Sequence, residues 1–114
     1  MKKRAALLVL FVLTLATSAY AHPPSDIKIT FDPATKMLHA DIIHDVKDTS
    51  THFIKKVDVS LNGKEIIAQE FSLQGNNESQ LVHYLIPDAK IGDTVSVEGY
   101  CNISGKLEKE LKVR

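Results

Sequence analysis

From Ile27 onward apolar side chains recur at every second position, strand-length segment after segment, which points away from helices and toward sheets with one buried face. Ile27, Ile29 and Phe31 alternate with Lys28 and Thr30, and Asp32-Pro33-Ala34-Thr35-Lys36 then reads as a turn. Met37 to Ile43 is a second predicted strand, with Leu38, Ala40 and Ile42 on one face. Residues 44–51 form a polar loop, and Phe53 to Leu61 is a third strand with Val57, Val59 and Leu61 aligned. Asn62-Gly63 supplies the two positive φ angles of a two-residue hairpin, from which Lys64 to Phe71 returns as the fourth strand. After the Gln74-Gly75-Asn76-Asn77 loop, Leu81 to Ile86 is a fifth strand. Pro87-Asp88 and Gly92-Asp93 punctuate the next connection, and Val95 to Tyr100 and Lys106 to Val113 complete the set. No stretch carries a sustained helical period with caps. Seven short strands at this spacing predict an all-β, immunoglobulin-like antiparallel sandwich.

The N-terminus reads differently. Lys2, Lys3 and Arg4 precede an apolar stretch from Ala5 to Ala16, which is too short to span a bilayer, and Ala19-Tyr20-Ala21 has the small residues that a signal peptidase reads. Residues 1–21 are therefore expected to be a signal peptide, and residues 22–114 one exported, periplasmic domain beginning at His22. Three of the chain's 14 basic residues leave with that leader, so 11 face 14 acidic residues. A mildly acidic domain without a basic run offers nucleic acid no electrostatic footprint, and no later apolar run suits a membrane.

Cys101 is the single cysteine, so no internal disulfide supports the fold. A lone thiol in an oxidising compartment implies burial, an intermolecular partner or a metal. All five histidines, His22, His39, His44, His52 and His83, follow the leader. Three features stand out as chemistry. The loop from His44 through Asp45-Val46-Lys47-Asp48-Thr49-Ser50-Thr51 to His52 begins and ends in an imidazole. Cys101 stands at a strand end, and His22 is the predicted mature N-terminus. Imidazoles with a thiolate suit iron, copper or zinc. His39 and His83 fall inside strands and read as surface or core-edge residues. No G-x-S-x-G, glycine-rich phosphate loop or C-x-x-C is present.

Two segments carry a resemblance. His52-Phe53-Ile54-Lys55-Lys56-Val57-Asp58-Val59 with Asn62-Gly63, and Tyr100-Cys101-Asn102-Ile103-Ser104-Gly105, resemble the ferrous-iron domain of superoxide reductases (desulfoferrodoxin and neelaredoxin). That family shows an H-[YFH]-I segment and later Y-C-N-x-H-G, on an immunoglobulin-like fold. The chain is also similar to the carrier-complex subunit of the Sox thiosulfate-oxidation system, which has the fold without the iron.

The first resemblance implies a ferrous centre with Cys101 as axial ligand, His52 as the imidazole of H-[YFH]-I, and His44 as the histidine before it. Seven residues separate His44 from His52 where the family usually has five, and an ungapped alignment puts Val46 at the earlier histidine's place. Ser104 stands where the family has a histidine, and His22 is the available substitute for the N-terminal-loop ligand. The expected function is thus an exported iron protein with an incomplete ligand set, reducing superoxide to peroxide, with Lys47 attracting the anion and a redox protein as partner. The Sox resemblance implies instead a non-catalytic assembly module with a sulfur-metabolism partner. A third expectation is copper, because an N-terminal His22 offers both amine and ring to one ion, with His44 or His52 completing the site.

Overall fold

The computed structural model describes residues 22–114, and the expected leader, residues 1–21, lies outside the described residues. The described chain is all β, with seven strands and no helix. In order they are β1 (Asp26–Asp32), β2 (Met37–Ile43), β3 (Ile54–Leu61), β4 (Lys64–Glu70), β5 (Ser79–Leu85), β6 (Thr94–Cys101) and β7 (Lys106–Lys112). They form a three-stranded sheet, β1-β2-β5, and a four-stranded sheet, β4-β3-β6-β7. Every pairing is antiparallel. The architecture is the expected immunoglobulin-like sandwich, with the fourth strand in the larger sheet.

The alternation that predicts the strands also builds the core. Leu38, Ala40 and Ile42 of β2 are fully buried, as are Val57 and Val59 of β3 and Val95 and Val97 of β6. Only one face of each sheet is dry, so period two is the pattern a sandwich needs. The sheets approach closely at Gly99, where a Cβ would lie 3.0 Å from Ile42 Cγ2. That contact shows that the C-terminal ends of β2 and β6 meet at one end of the sandwich.

The β3–β4 hairpin turns through Asn62 (φ 51°) and Gly63 (φ 83°), with Leu61 opposite Lys64. Nothing lies within 4 Å of a Cβ at Gly63, so a side chain there meets conformational strain and no clash. Gly63→Val is expected to destabilise the protein by about 1–2 kcal/mol, because a β-branched residue resists positive φ. Urea denaturation checks this, and an unchanged midpoint would contradict the turn assignment.

His39 and His83 are register partners across β2 and β5, their ring centroids 4.4 Å apart. They pair with each other on the outer face of the smaller sheet.

Candidate metal centre

The smaller sheet's register brings the site together. Asp26 pairs with Ile43, and Ser25 N–H donates to the Ile43 carbonyl at 2.9 Å. The segment before β1 therefore runs beside the residues just after β2, and His22 comes to lie against His44. Their ring centroids are 4.9 Å apart, and His52 lies 5.2 Å from His22 and 4.6 Å from His44. One ring nitrogen from each of the three falls within 4.8 Å of the others. Nitrogens on an ion with bonds of about 2.0–2.1 Å stand about 3–4 Å apart, so small ring rotations close the set. These three imidazoles can bind a metal ion.

His44 continues the inward series Leu38, Ala40, Ile42 past the end of β2 and is fully buried. Gln74, 1% exposed, fixes it. Gln74 Nε2 donates to the carbonyls of His44 (2.8 Å) and Asn76 (2.9 Å), while Gln74 Oε1 accepts Ile54 N–H at 3.2 Å. Those backbone partners determine which end of the amide is oxygen. His44 Nδ1–H therefore donates to Gln74 Oε1 at 2.8 Å, and Nε2 of the neutral ring carries the lone pair. Its neighbour is the His22 carbonyl oxygen at 3.0 Å, another acceptor. A cation suits that position.

His52 is held by the turn before it and by a side chain from the turn after β6. His52 N–H donates to the Asp48 carbonyl at 3.0 Å, in a turn whose Asp48 Oδ1 accepts Ser50 N–H at 2.9 Å. Asn102 clamps the other side. Its Oδ1 accepts Phe53 N–H at 2.8 Å, its Nδ2 donates to the Thr51 carbonyl at 3.0 Å, and its own N–H donates to the Phe53 carbonyl at 2.9 Å. A bulge follows, since the β3–β6 register shifts between Ile54 and Lys56, and bulges re-aim neighbouring side chains. His52 Nε2 is buried and has no hydrogen-bond partner.

His22 presents both ring nitrogens to carbonyls, Nε2 to Asp45 at 2.8 Å and Nδ1 to Pro23 at 2.9 Å. A neutral imidazole has one N–H, so one of the two nitrogens faces an acceptor with a lone pair. All three rings thus offer a nitrogen that no donor satisfies.

Burial, and then repulsion from His44 and His22, holds the His52 imidazole below its ordinary value of 6.5. A histidine depressed in the fold stabilises it above the unfolded value, and that contribution is lost as pH falls toward the lowered one. The metal-free protein should lose stability as pH falls below the unfolded imidazole value of 6.5 toward the lowered one. His52→Gln should flatten that loss in urea titrations at stepped pH, and an unchanged slope would contradict it.

The other expected site residues fall as follows. Cys101 ends β6 and is buried, continuing the inward series Val95, Val97, Gly99. Its sulfur does not belong to the set of ligand atoms that lie within 4.8 Å of one another. Ile103 N–H donates to the Cys101 sulfur at 3.4 Å. Lys47 is exposed and, with His22, Asp45, Val46, Asp48, Thr51, His52 and Ile103, lines a recess of about 610 Å³ beside the imidazoles. Gln74 and Asn102, which orient the rings, escape sequence reasoning in these roles. Gln74 sits in a loop that reads as solvated, and Asn102 has a signal only through its neighbour Cys101.

No family model matches the chain, no curated protein matches it, and no solved structure matches it. The likeness to superoxide reductases therefore rests on the two short segments alone.

Proposed function

We propose that this is an exported metal-binding protein that holds one divalent transition-metal ion, copper foremost, on His22, His44 and His52. The observation that carries the reading is the convergence of three ring nitrogens, none with a donor, one of them buried and unpartnered at His52. Copper is favoured because the converging set is nitrogen throughout and divalent copper stands highest in affinity for such donors. The Gln74 and Asp45 carbonyl oxygens accept the opposite ring N–H groups, as partners of metal-bound histidines commonly do. The recess along His22 and His52 leaves the ion open to a small exogenous ligand.

Titration of the chain beginning at His22 with cupric, zinc and anaerobic ferrous ions tests the reading. One cupric ion per chain is expected, with binding weakened in both His44→Ala and His52→Ala. Uptake by both variants equal to that of the unsubstituted chain would overturn it.

One observation favours a second reading, the ferrous site of superoxide-reductase type. His44 and Cys101 extend the inward faces of β2 and β6 at the end where Gly99 meets Ile42. In that reading Cys101, His44, His52 and His22 would hold a ferrous ion, which would supply the one electron that, with two protons, takes superoxide to hydrogen peroxide. Lys47 draws in the anion and a redox protein restores the electron. Loss of a thiolate-to-iron absorption band in Cys101→Ser would select it. Indifference to every metal would select the assembly module with a sulfur-metabolism partner.

A further inference from the structure

We propose that His22 binds the ion through two atoms, its main-chain nitrogen and ring Nδ1, and that removal of residues 1–21 creates the complete site. This deepens the three-imidazole reading and rests on it. The fold places the main chain of residue 22, as well as its ring, beside His44: the His22 carbonyl oxygen is 3.0 Å from His44 Nε2. The segment behind it is anchored. Pro24 is buried, with its Cγ 3.7 Å from the Cβ position of Gly99. Pro23 packs on Gly105, whose Cβ position lies 2.8 Å from Pro23 Cβ.

The donor chemistry follows from these contacts. When His22 Nε2–H donates to the Asp45 carbonyl at 2.8 Å, Nδ1 keeps the lone pair, and the Pro23 carbonyl that it faces at 2.9 Å is the contact the ion replaces. An α-amine and the Nδ1 of the same histidine close a six-membered chelate ring, which Nε2 cannot. Pro23 strengthens the assignment, because its nitrogen carries no hydrogen. Copper therefore cannot displace an amide proton at residue 23, and the amine remains the main-chain donor available. Within the precursor the His22 nitrogen is a planar amide with little basicity. Hydrolysis of the Ala21–His22 bond, with water giving Ala21 its carboxylate, turns that nitrogen into an ammonium whose ordinary pKa is about 7.7–8.0. Loss of one proton frees the lone pair for the ion. The site would then reach its full affinity only after export, which disfavours copper uptake inside the cell.

The test compares the chain beginning at His22 with the same chain acetylated on its main-chain nitrogen, using cupric ion as the probe. The acetyl group leaves all three imidazoles and the core unchanged and brings no new amine. Chelator competition near neutral pH should show affinity about 100-fold or more lower for the acetylated chain, the scale on which a tethered second donor adds to binding. Electron paramagnetic resonance should show one fewer coordinated nitrogen. Equal affinity and equal nitrogen number in the two chains would overturn the proposal. His52→Gln, measured in both, separates the two claims. If it weakens binding in both while acetylation does not, the imidazole site stands and the amine role falls. If it has no effect in either, the three-imidazole reading has failed and this proposal falls with it.

Discussion

Gln74→Ala is expected to destabilise the protein by about 3–4 kcal/mol, the largest effect of any single polar substitution near the site. The side chain is almost fully buried and makes four hydrogen bonds, to His44 twice, to Ile54 and to Asn76. Alanine leaves the Ile54 N–H and the His44 and Asn76 carbonyls without these partners, and opens a cavity where water has poor access. Each such loss costs about 1 kcal/mol or more. The same change releases the His44 ring from its tautomer, so metal affinity should also fall by about 10–100-fold. Urea denaturation measures the first effect and nitrogen chemical shifts of the His44 ring the tautomer. A stability loss below about 1 kcal/mol would mean that water replaces the amide.

Gly105→Val should act at a distance, on a ligand it does not touch. Gly105 has φ +81°, and a Cβ there would lie 2.8 Å from Pro23 Cβ, 3.2 Å from Pro23 Cδ and 3.3 Å from Pro23 Cα. The Pro23 ring is rigid and one of these atoms is backbone, so the segment must move as a unit. Strain at positive φ contributes about 1–2 kcal/mol of destabilisation. Displacement of Pro23 carries His22 away from His44 and His52, and metal affinity should drop by about 100-fold. Gly63→Val has the same backbone strain with no neighbour within 4 Å, so it should leave metal affinity unchanged. The pair separates the strain of a valine at positive φ from loss of His22.

Strand positions were legible because each sheet has one dry face, which imposes period two on β2, β3 and β6 directly. Boundaries slipped where polar side chains are buried. β5 begins at Ser79 although its apolar signal starts at Leu81, because Ser79 and Gln80 are buried and Gln80 Oε1 accepts Gly75 N–H. His44 and His52 were legible as the two ends of one loop. Their meeting with His22 depends on the β1–β2 register and on Pro23 and Pro24 docking across the sheets, neither of which spacing encodes. Cys101 illustrates the opposite case. Its position two residues after Gly99 on an alternating strand implies an inward-facing thiol, and the structure buries it there. Gln74 was invisible, since a glutamine in a Gln-Gly-Asn-Asn loop carries no mark of burial.

Electron paramagnetic resonance of the chain beginning at His22, loaded with one equivalent of cupric ion and labelled with ¹⁵N in the histidine rings alone, tests the central claim most directly. The account predicts hyperfine coupling to three labelled imidazoles, one of them lost in His44→Ala and one in His52→Ala. A spectrum with no labelled nitrogen on the ion, or one unchanged by both substitutions, would contradict it.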